Sequence, residues 1–265
     1  GEDRSTDKTP EIINDYIKLY PDRIMLVTSS QNVGAVANER RVMMLARGKY
    51  IALCEGDDYW TDPDKLQKQA DFLESNLEYS VCFHRCKHHD VESDAWRDDA
   101  CGRLFTSEEN SGMEITTKMF LHSWITQPLT MVYRRDLFNP DIASQYRYYR
   151  DNHLIYHLLQ KGKGYLFSFD GGVYNYHNGG LHSKIGHKLG NELTVNIARD
   201  LYLKNKCDNL LKLNFLRSLQ FNIHYSAENH SFGIKIWENI LEHLFYSLSI
   251  KQFLKNIILL LRSIR

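Results

Sequence analysis

The feature that most limits what this chain can fold into is a continuous apolar run, Tyr50-Ile51-Ala52-Leu53-Cys54, that passes directly into the acidic cluster Glu55-Gly56-Asp57-Asp58. A strand apolar on both faces has to be covered on both, as in a sheet sandwiched between helices. The surrounding pattern agrees. Thr9-Pro10 starts a helix, with Thr9 able to cap and Pro10 suited to the first helical position. Ile12, Ile13, Tyr16, Ile17 and Tyr20 follow at helical spacing, and Pro21 ends the run. Ile24 to Thr28 reads as a short buried strand, Asn32-Val33-Gly34 as a turn, and Ala35 to Ala46 as a second helix. Asp62-Pro63 opens a third, with Leu66, Ala70, Leu73 and Leu77 along one side. Alternation of helix and strand through residue 85 predicts an α/β fold with a mostly parallel sheet and flanking helices.

Further along, residues 86 to 113 are polar and irregular, a strand with an excursion. Leu129 to Arg134 reads as a strand, Asp151 to Lys161 as a helix, and Tyr165 to Tyr176 as a strand pair turning at Asp170-Gly171-Gly172. Beyond about residue 188 the pattern is purely helical. The division expected is an α/β domain over 1–187 and a helical C-terminal region over 188–265.

Charge narrows the function classes. Lys+Arg and Asp+Glu are both 33, so the formal net charge is zero and no basic excess marks a nucleic-acid binder. Five scattered cysteines (Cys54, Cys82, Cys86, Cys101, Cys207) read as reduced thiols of a cytoplasmic protein. No apolar run approaches the roughly 20 residues of a membrane span. Cys82 and Cys86 with His84, His88 and His89 match no standard zinc spacing and read as structural.

In open α/β sheets ligands bind at the carboxyl ends of strands, where the acidic cluster lies. Its carboxylates are hard oxygen ligands suited to Mg²⁺ or Mn²⁺, and Mg²⁺ sites use one or two of them together with substrate phosphates. Gly56 would let the backbone turn sharply there and leave room for a bulky ligand. The spacing fails as an EF-hand calcium loop.

Read together, Asn32-Val33-Gly34, the helix running into Ala46-Arg47-Gly48-Lys49-Tyr50, the apolar strand, and Glu55-Gly56-Asp57-Asp58-Tyr59-Trp60 closely resemble family 2 glycosyltransferases. Those enzymes carry an N-x-G turn, a helix ending in A-R-G-x-Y, a hydrophobic strand and a D-x-D or E-x-D-D element. The opening Glu2-Asp3-Arg4-Ser5-Thr6-Asp7-Lys8-Thr9 resembles their D-D-x-S-T-D-x-T loop. The resemblance implies a GT-A, Rossmann-like fold, here with a C-terminal helical extension. It implies a metal-dependent inverting transferase that moves a sugar from a nucleoside-diphosphate sugar, UDP-linked by expectation, to a hydroxyl of a glycan or lipid-linked acceptor. Relatives begin with a strand and a Pro-Thr-Tyr-Asn-like loop ahead of the position of Gly1, so the chain is expected to be N-terminally truncated.

By the same resemblance, Asp57 would ligate Mn²⁺ or Mg²⁺, and Asp58 and Glu55 would support the metal or contact the ribose. Either Glu2 or Asp3 would face the nucleobase. The base that takes the acceptor proton would be Asp151, in Arg150-Asp151-Asn152-His153 at the start of a helix. Arg150 stands where many relatives have a second acid or Gly, and a cation there would depress Asp151. Val173-Tyr174-Asn175-Tyr176-His177-Asn178-Gly179-Gly180 resembles the family's Y-R-x-H-x-G-G segment, so His177 would reach the metal or the diphosphate; Asn175 replaces the usual Arg. Trp124-Ile125-Thr126 and Thr130 fall where relatives build the acceptor floor. Tyr59-Trp60 would either contact substrate or form plain wall. The alternative is a non-catalytic nucleotide- or glycan-binding relative of the same fold, binding UDP and metal without Asp151-dependent turnover.

After Glu242 the chain has no acidic residue. Ile250, Phe253, Leu254, Ile257, Ile258, Leu261 and Ile264 fall on one helical face, with Lys251, Lys255 and Arg262 on the other. Such a helix over 250–264 suits either peripheral contact with the inner face of the cell membrane or packing on protein.

Overall fold

The computed structural model describes residues 1–105, 111–123, 125–206, 208–230 and 233–263; for 181–185 only the backbone is described. Trp124, Cys207 and Ile264 therefore lie outside the described residues. Helices α1 (Thr9–Leu19), α2 (Ala35–Leu45) and α3 (Lys65–Ser75) stand where the periodicity puts them. Between them run β1 (Tyr50–Ala52) and β2 (Tyr59–Trp60). The segment Ile24 to Thr28 forms no strand: it has no ladder among the described residues, and its link to the N-terminal loop is a bond from the Glu2 N–H to the Val27 carbonyl at 2.8 Å.

Two long strands form the spine, β3 (Tyr79–Asp90) and β7 (Lys163–Tyr176), which pair in parallel. On its outer edge β3 carries β6 (Val132–Arg134) and β4 (Ala95–Asp98), both antiparallel. On the outer edge of β7 lie β5 (Gly112–Ile115) and β2, also antiparallel. Strand β1 pairs antiparallel with β6. The expectation of a mostly parallel sheet is thus corrected to a mixed one. The strands β1, β3 and β7 do run the same way, but β6 is inserted antiparallel between β1 and β3. Helix–strand alternation reports chain direction between layers and is blind to such an insertion.

The expected turn at Asp170-Gly171-Gly172 is also corrected, because β7 runs straight through it. The parallel register slips there: Phe83 and Arg85 face Leu166 and Asp170, and Lys87 faces Val173. The glycines mark a bulged strand and a close approach. A Cβ on Gly171 would come within 2.9 Å of the His84 ring, and one on Gly172 within 2.7 Å of Leu129 Cδ1.

Helix α4 (Thr117–His122) and α5 (Asp151–Leu159) cover the sheet with α6 (Leu181–Lys204) and α7 (Asn209–Glu228). One cluster joins Val81, Phe83 and Leu166 of the sheet to Leu154 and Leu158 of α5 and Leu201 and Phe215 of α6 and α7. A second, on the other sheet face, sets Leu73 of α3 against Cys82 and Val132. Arg134 fastens the end of α3, donating to the carbonyls of Leu73 (2.6 Å), Asn76 (3.2 Å) and Tyr79 (2.8 Å).

Helices α8 (Ile234–Ser247) and α9 (Ile250–Ser263) pack on α7 around Ile223, Ile236, Ile240 and Leu260. The single apolar face expected of α9 divides in two. Phe253 and Ile257 turn inward, while Ile250, Leu254, Ile258 and Leu261 stay exposed beside Trp237, Leu241 and Phe245 of α8. No helix among the described residues is long and apolar enough to cross a membrane.

Candidate active site

The acidic turn leaves β1 and closes on itself through the Asp58 N–H to the Glu55 carbonyl, 3.2 Å. The end of β7 then holds it in place. The Asn175 N–H donates to Asp58 Oδ1 (2.9 Å) and its side-chain amide to the Asp57 carbonyl (2.6 Å). His177 Nε2 lies 3.0 Å from Asp57 Oδ2. Asp57, Asp58 and His177 therefore converge, and Asn175, noted in the sequence only as a missing Arg, is the residue that fixes the turn. Gly56 keeps a negative φ, and a Cβ there would meet no protein atom within 4 Å, so the turn itself does not require glycine.

Asp58 Oδ2 is buried and has no hydrogen-bond partner among the described residues. Desolvation, offset by the Asn175 N–H and reinforced by the charge of Asp57, pushes Asp58 up to about 6. A buried, unsatisfied carboxylate oxygen beside a second carboxylate and an imidazole fits a divalent cation. Among the described residues no group of three or more His, Cys, Asp or Glu could hold a metal by itself. Such a site needs outside ligands, as Mg²⁺ sites that share their ion with substrate phosphates do.

Asp151 is the first residue of α5. The buried His153 ring sets this end of the helix, its Nδ1 3.1 Å from the Arg150 N–H. Burial holds His153 down to about 4, so it stays neutral and able to accept. The Arg150 guanidinium turns back to the Tyr149 carbonyl at 2.7 Å.

The charge of Asp151 reaches two glutamates, one of which the sequence reading passed over. Desolvation, then the charges of Asp58, Asp151 and Glu39, push Glu55 up to about 7. Desolvation and the charge of Asp151 push Glu39 of α2 up to about 7. The signal for Glu39 was a carboxylate on the same helical stripe as Val36 and the buried Met43.

Glu39 makes a clean stability prediction. Its folded carboxyl keeps a proton to about pH 7 against an ordinary 4.5, so the folded state binds more protons and loses stability as pH rises from about 4.5 through 7. Glu39→Gln is expected to raise Tm at pH 8 by a few degrees and to leave it unchanged at pH 4. Thermal melts at the two pH values check this, and an equal shift at both would contradict it.

Glu2 and Asp3 lie by the N-terminal end of α2 and are engaged by the protein. The Ser5 N–H and the Thr28 hydroxyl donate to Glu2 and hold it down to about 2. Asp3 accepts from the N–H groups of Val33 and Gly34, both at 2.8 Å, with Arg41 3.6 Å away. Gly34, at φ +84°, precedes α2 in a conformation that favours glycine. Trp60 is wall: its indole donates to the Leu129 carbonyl at 2.8 Å, and the buried Lys65 ammonium sits 4.3 Å from its ring. Thr130 donates to the Gln127 carbonyl, while the Thr126 hydroxyl is buried without a partner among the described residues.

Residues 2–140 match the family model described as Glycosyl transferase family 2. An uncharacterized protein of Mycobacterium tuberculosis is 45% identical over 144 residues, 54% of this chain and 40% of that protein. The UDP-Glc:alpha-D-GlcNAc-diphosphoundecaprenol beta-1,3-glucosyltransferase WfaP of Escherichia coli is 35% identical over 74 residues, 28% of each. The chain thus spans less than half the length of these relatives. S. aureus TarS, solved over residues 1–349, shares the fold: TM-score 0.57, covering 92% of this chain and 68% of that one at 15% identity.

Proposed function

The chain belongs to glycosyl transferase family 2, and on that footing we propose that it transfers a sugar from a nucleoside-diphosphate donor to a hydroxyl, with inversion and with a divalent metal. The observation that carries this reading is the acidic turn itself, clamped by Asn175 and His177 and holding the buried, unpartnered Oδ2 of Asp58, with Asp151 at the head of α5 near enough for its charge to reach Glu55. Asp151 takes the proton from the acceptor hydroxyl as its oxygen bonds to the anomeric carbon. The bond from that carbon to the diphosphate oxygen breaks, and the diphosphate leaves with the electron pair. One base on one face gives a single displacement, hence inversion.

Asp57 and His177, together with the donor's phosphates, would hold Mn²⁺ or Mg²⁺, with Asp58 in support; when bound the ion would neutralise charge on the departing diphosphate. Glu55, which feels the charges of both Asp58 and Asp151, would contact the donor's ribose or support the metal. The loop of Glu2 and Asp3 would receive the nucleobase, held in place by the start of α2. The donor is taken as UDP-linked and the acceptor as a glycan or lipid-linked glycan, in line with what the name of the E. coli relative states for that protein. Release of UDP from a panel of UDP-sugars with Mn²⁺ and undecaprenyl-linked acceptors tests the activity. No acceptor-dependent release with any pair, from a protein that binds UDP, would favour the non-catalytic alternative.

The outer stripe of Ile250, Leu254, Ile258 and Leu261, flanked by Lys251, Lys255 and Arg262, supports peripheral contact with an anionic membrane face. Co-sedimentation with phosphatidylglycerol vesicles is expected, and Leu254→Glu with Ile258→Glu should abolish it. Absence of the wild-type protein from the vesicle pellet at low salt would refute the contact.

A further inference from the structure

The clamp on the acidic turn is itself held from outside the site. Asn175 grips the turn with two donors, its N–H to Asp58 and its side-chain amide to the Asp57 carbonyl. A carbonyl oxygen only accepts, so the Asn175 amide has to turn its nitrogen toward Asp57 and its oxygen away. That oxygen meets His89 Nδ1 at 3.2 Å. The other ring nitrogen, Nε2, lies 2.9 Å from Asp94 Oδ1. Both partners are acceptors, so in this arrangement the His89 ring donates at each nitrogen.

Strand register places His89 for this. It faces Asn175 across the parallel pairing of β3 and β7, and Trp96 across the antiparallel β3–β4 hairpin. Its ring stacks on the Trp96 indole, with centroids 4.1 Å apart and planes 15° from parallel. An imidazole that donates at both nitrogens gains from the negative face of an indole. Asp94 reaches Nε2 from the hairpin turn in a left-handed conformation, φ +53°, which aspartate tolerates better than most residues. The hydrogen bond from His89 is the leading cause that holds the Asp94 carboxyl below the ordinary carboxylate range. The ring is thus fixed on one face and at both nitrogens, with 18% of the side chain exposed.

The same hairpin grips the chain on either side of His177. The Val91 N–H donates to the Tyr176 carbonyl at 2.9 Å, and the Asn178 N–H donates to Glu92 Oε1 at 2.6 Å. Residues 175, 176 and 178 each bond to the hairpin, while His177 between them meets Asp57. Of these bonds, the one from His89 bears on an amide whose other end holds the acidic turn.

We propose that His89 is a positioning residue for the acidic turn: by donating to Asn175 Oδ1 it locks the amide that holds the Asp57 carbonyl, and so aims the Asp57 carboxylate. Its use in the reaction rests on the acidic turn being the metal-bridged donor site, but the lock on Asn175 belongs to the metal-free chain. Without the His89 donor, the Asn175 amide is free to rotate about its last bond. Half a rotation sets its oxygen against the Asp57 carbonyl, acceptor against acceptor, and the turn loses one of its two bonds to Asn175.

The test compares the parent with His89→Phe, which keeps a ring on Trp96 and removes both N–H groups. His89→Ala serves beside it, so that no result hangs on the fit of the phenyl ring. In the metal-free proteins, hydrogen exchange of the Asn175 side-chain amide, read by NMR, is expected to quicken about tenfold in both variants. UDP titrated in Mn²⁺ should bind about tenfold more weakly, the low end of what loss of an outer-shell partner costs. Asn175→Ala should lose at least as much, and the His89→Phe, Asn175→Ala double variant no more than Asn175→Ala alone, because His89 acts through Asn175. Lys87→Met breaks the hairpin's ion pairs to Asp98 and Asp170 without touching Asn175, and should bind as the parent does. Losses that add in the double variant, or an equal loss in Lys87→Met, give His89 only a general part in holding the hairpin and overturn the proposal. So does unchanged amide exchange in the His89 variants. Faster exchange in those variants, with no Mn²⁺-dependent UDP binding by the parent, sustains the lock and removes the donor-site reading.

Discussion

Asp151→Asn is expected to lower kcat by about 10²–10⁴-fold, the range a positioned general base contributes, with the affinity for UDP and metal little changed. Asparagine keeps the size of the side chain at the first position of α5 and cannot accept the acceptor's proton. The substitution also removes a charge that Glu39 and Glu55 both feel. Two secondary results follow that a general loss of folding would not give. Both glutamates should titrate lower than in the parent protein, and Tm at pH 8 should hold or rise. The favourable interaction of Asp151 with the α5 dipole, about 0.3–1 kcal/mol, is set against the repulsion relieved. Carboxyl titration by NMR alongside kcat checks all three, and an unchanged kcat would remove Asp151 from the mechanism.

The second large effect belongs to the acidic turn. Asp57→Ala is expected to weaken Mn²⁺-dependent nucleotide binding by at least about a hundredfold, close to 3 kcal/mol. It removes a carboxylate that meets His177 at 3.0 Å and lies next to the unsatisfied Oδ2 of Asp58. His177→Ala should cost less, because it leaves both carboxylates standing. Calorimetry on the three proteins ranks them, and an Asp57→Ala protein that binds as the parent does would exclude this residue from the metal site.

Much of this arrangement could be read from the residues. The helices at 9–19 and 65–75 announce themselves by spacing and by proline or aspartate starts, and the one at 35–45 by the Asn32-Val33-Gly34 turn before it, because those signals are local. The acidic turn was legible less from its own carboxylates, which alone would suit a solvated loop, than from its place in the ordered motifs running from Asn32 to Trp60. What escaped is non-local. Periodicity reports which faces of a strand are buried but not its neighbour, so the antiparallel insertion of Val132–Arg134 beside Tyr50–Ala52 was not visible. A Gly-Gly pair looks alike in a hairpin and in a bulge, and only the register between β3 and β7 separates them. Glu39 and Asn175 act through residues more than a hundred positions away, Asp151 and Asp57-Asp58 respectively.

The most direct test of the central claim, that the acidic turn is the metal-bridged donor site, is calorimetric titration of the parent chain with UDP in the presence and absence of Mn²⁺. Asp57→Ala serves as the blank. We expect saturable binding that requires Mn²⁺ and is lost in the blank. Binding of equal strength without metal, or none at all from a chain whose melting curve shows it folded, would contradict the claim.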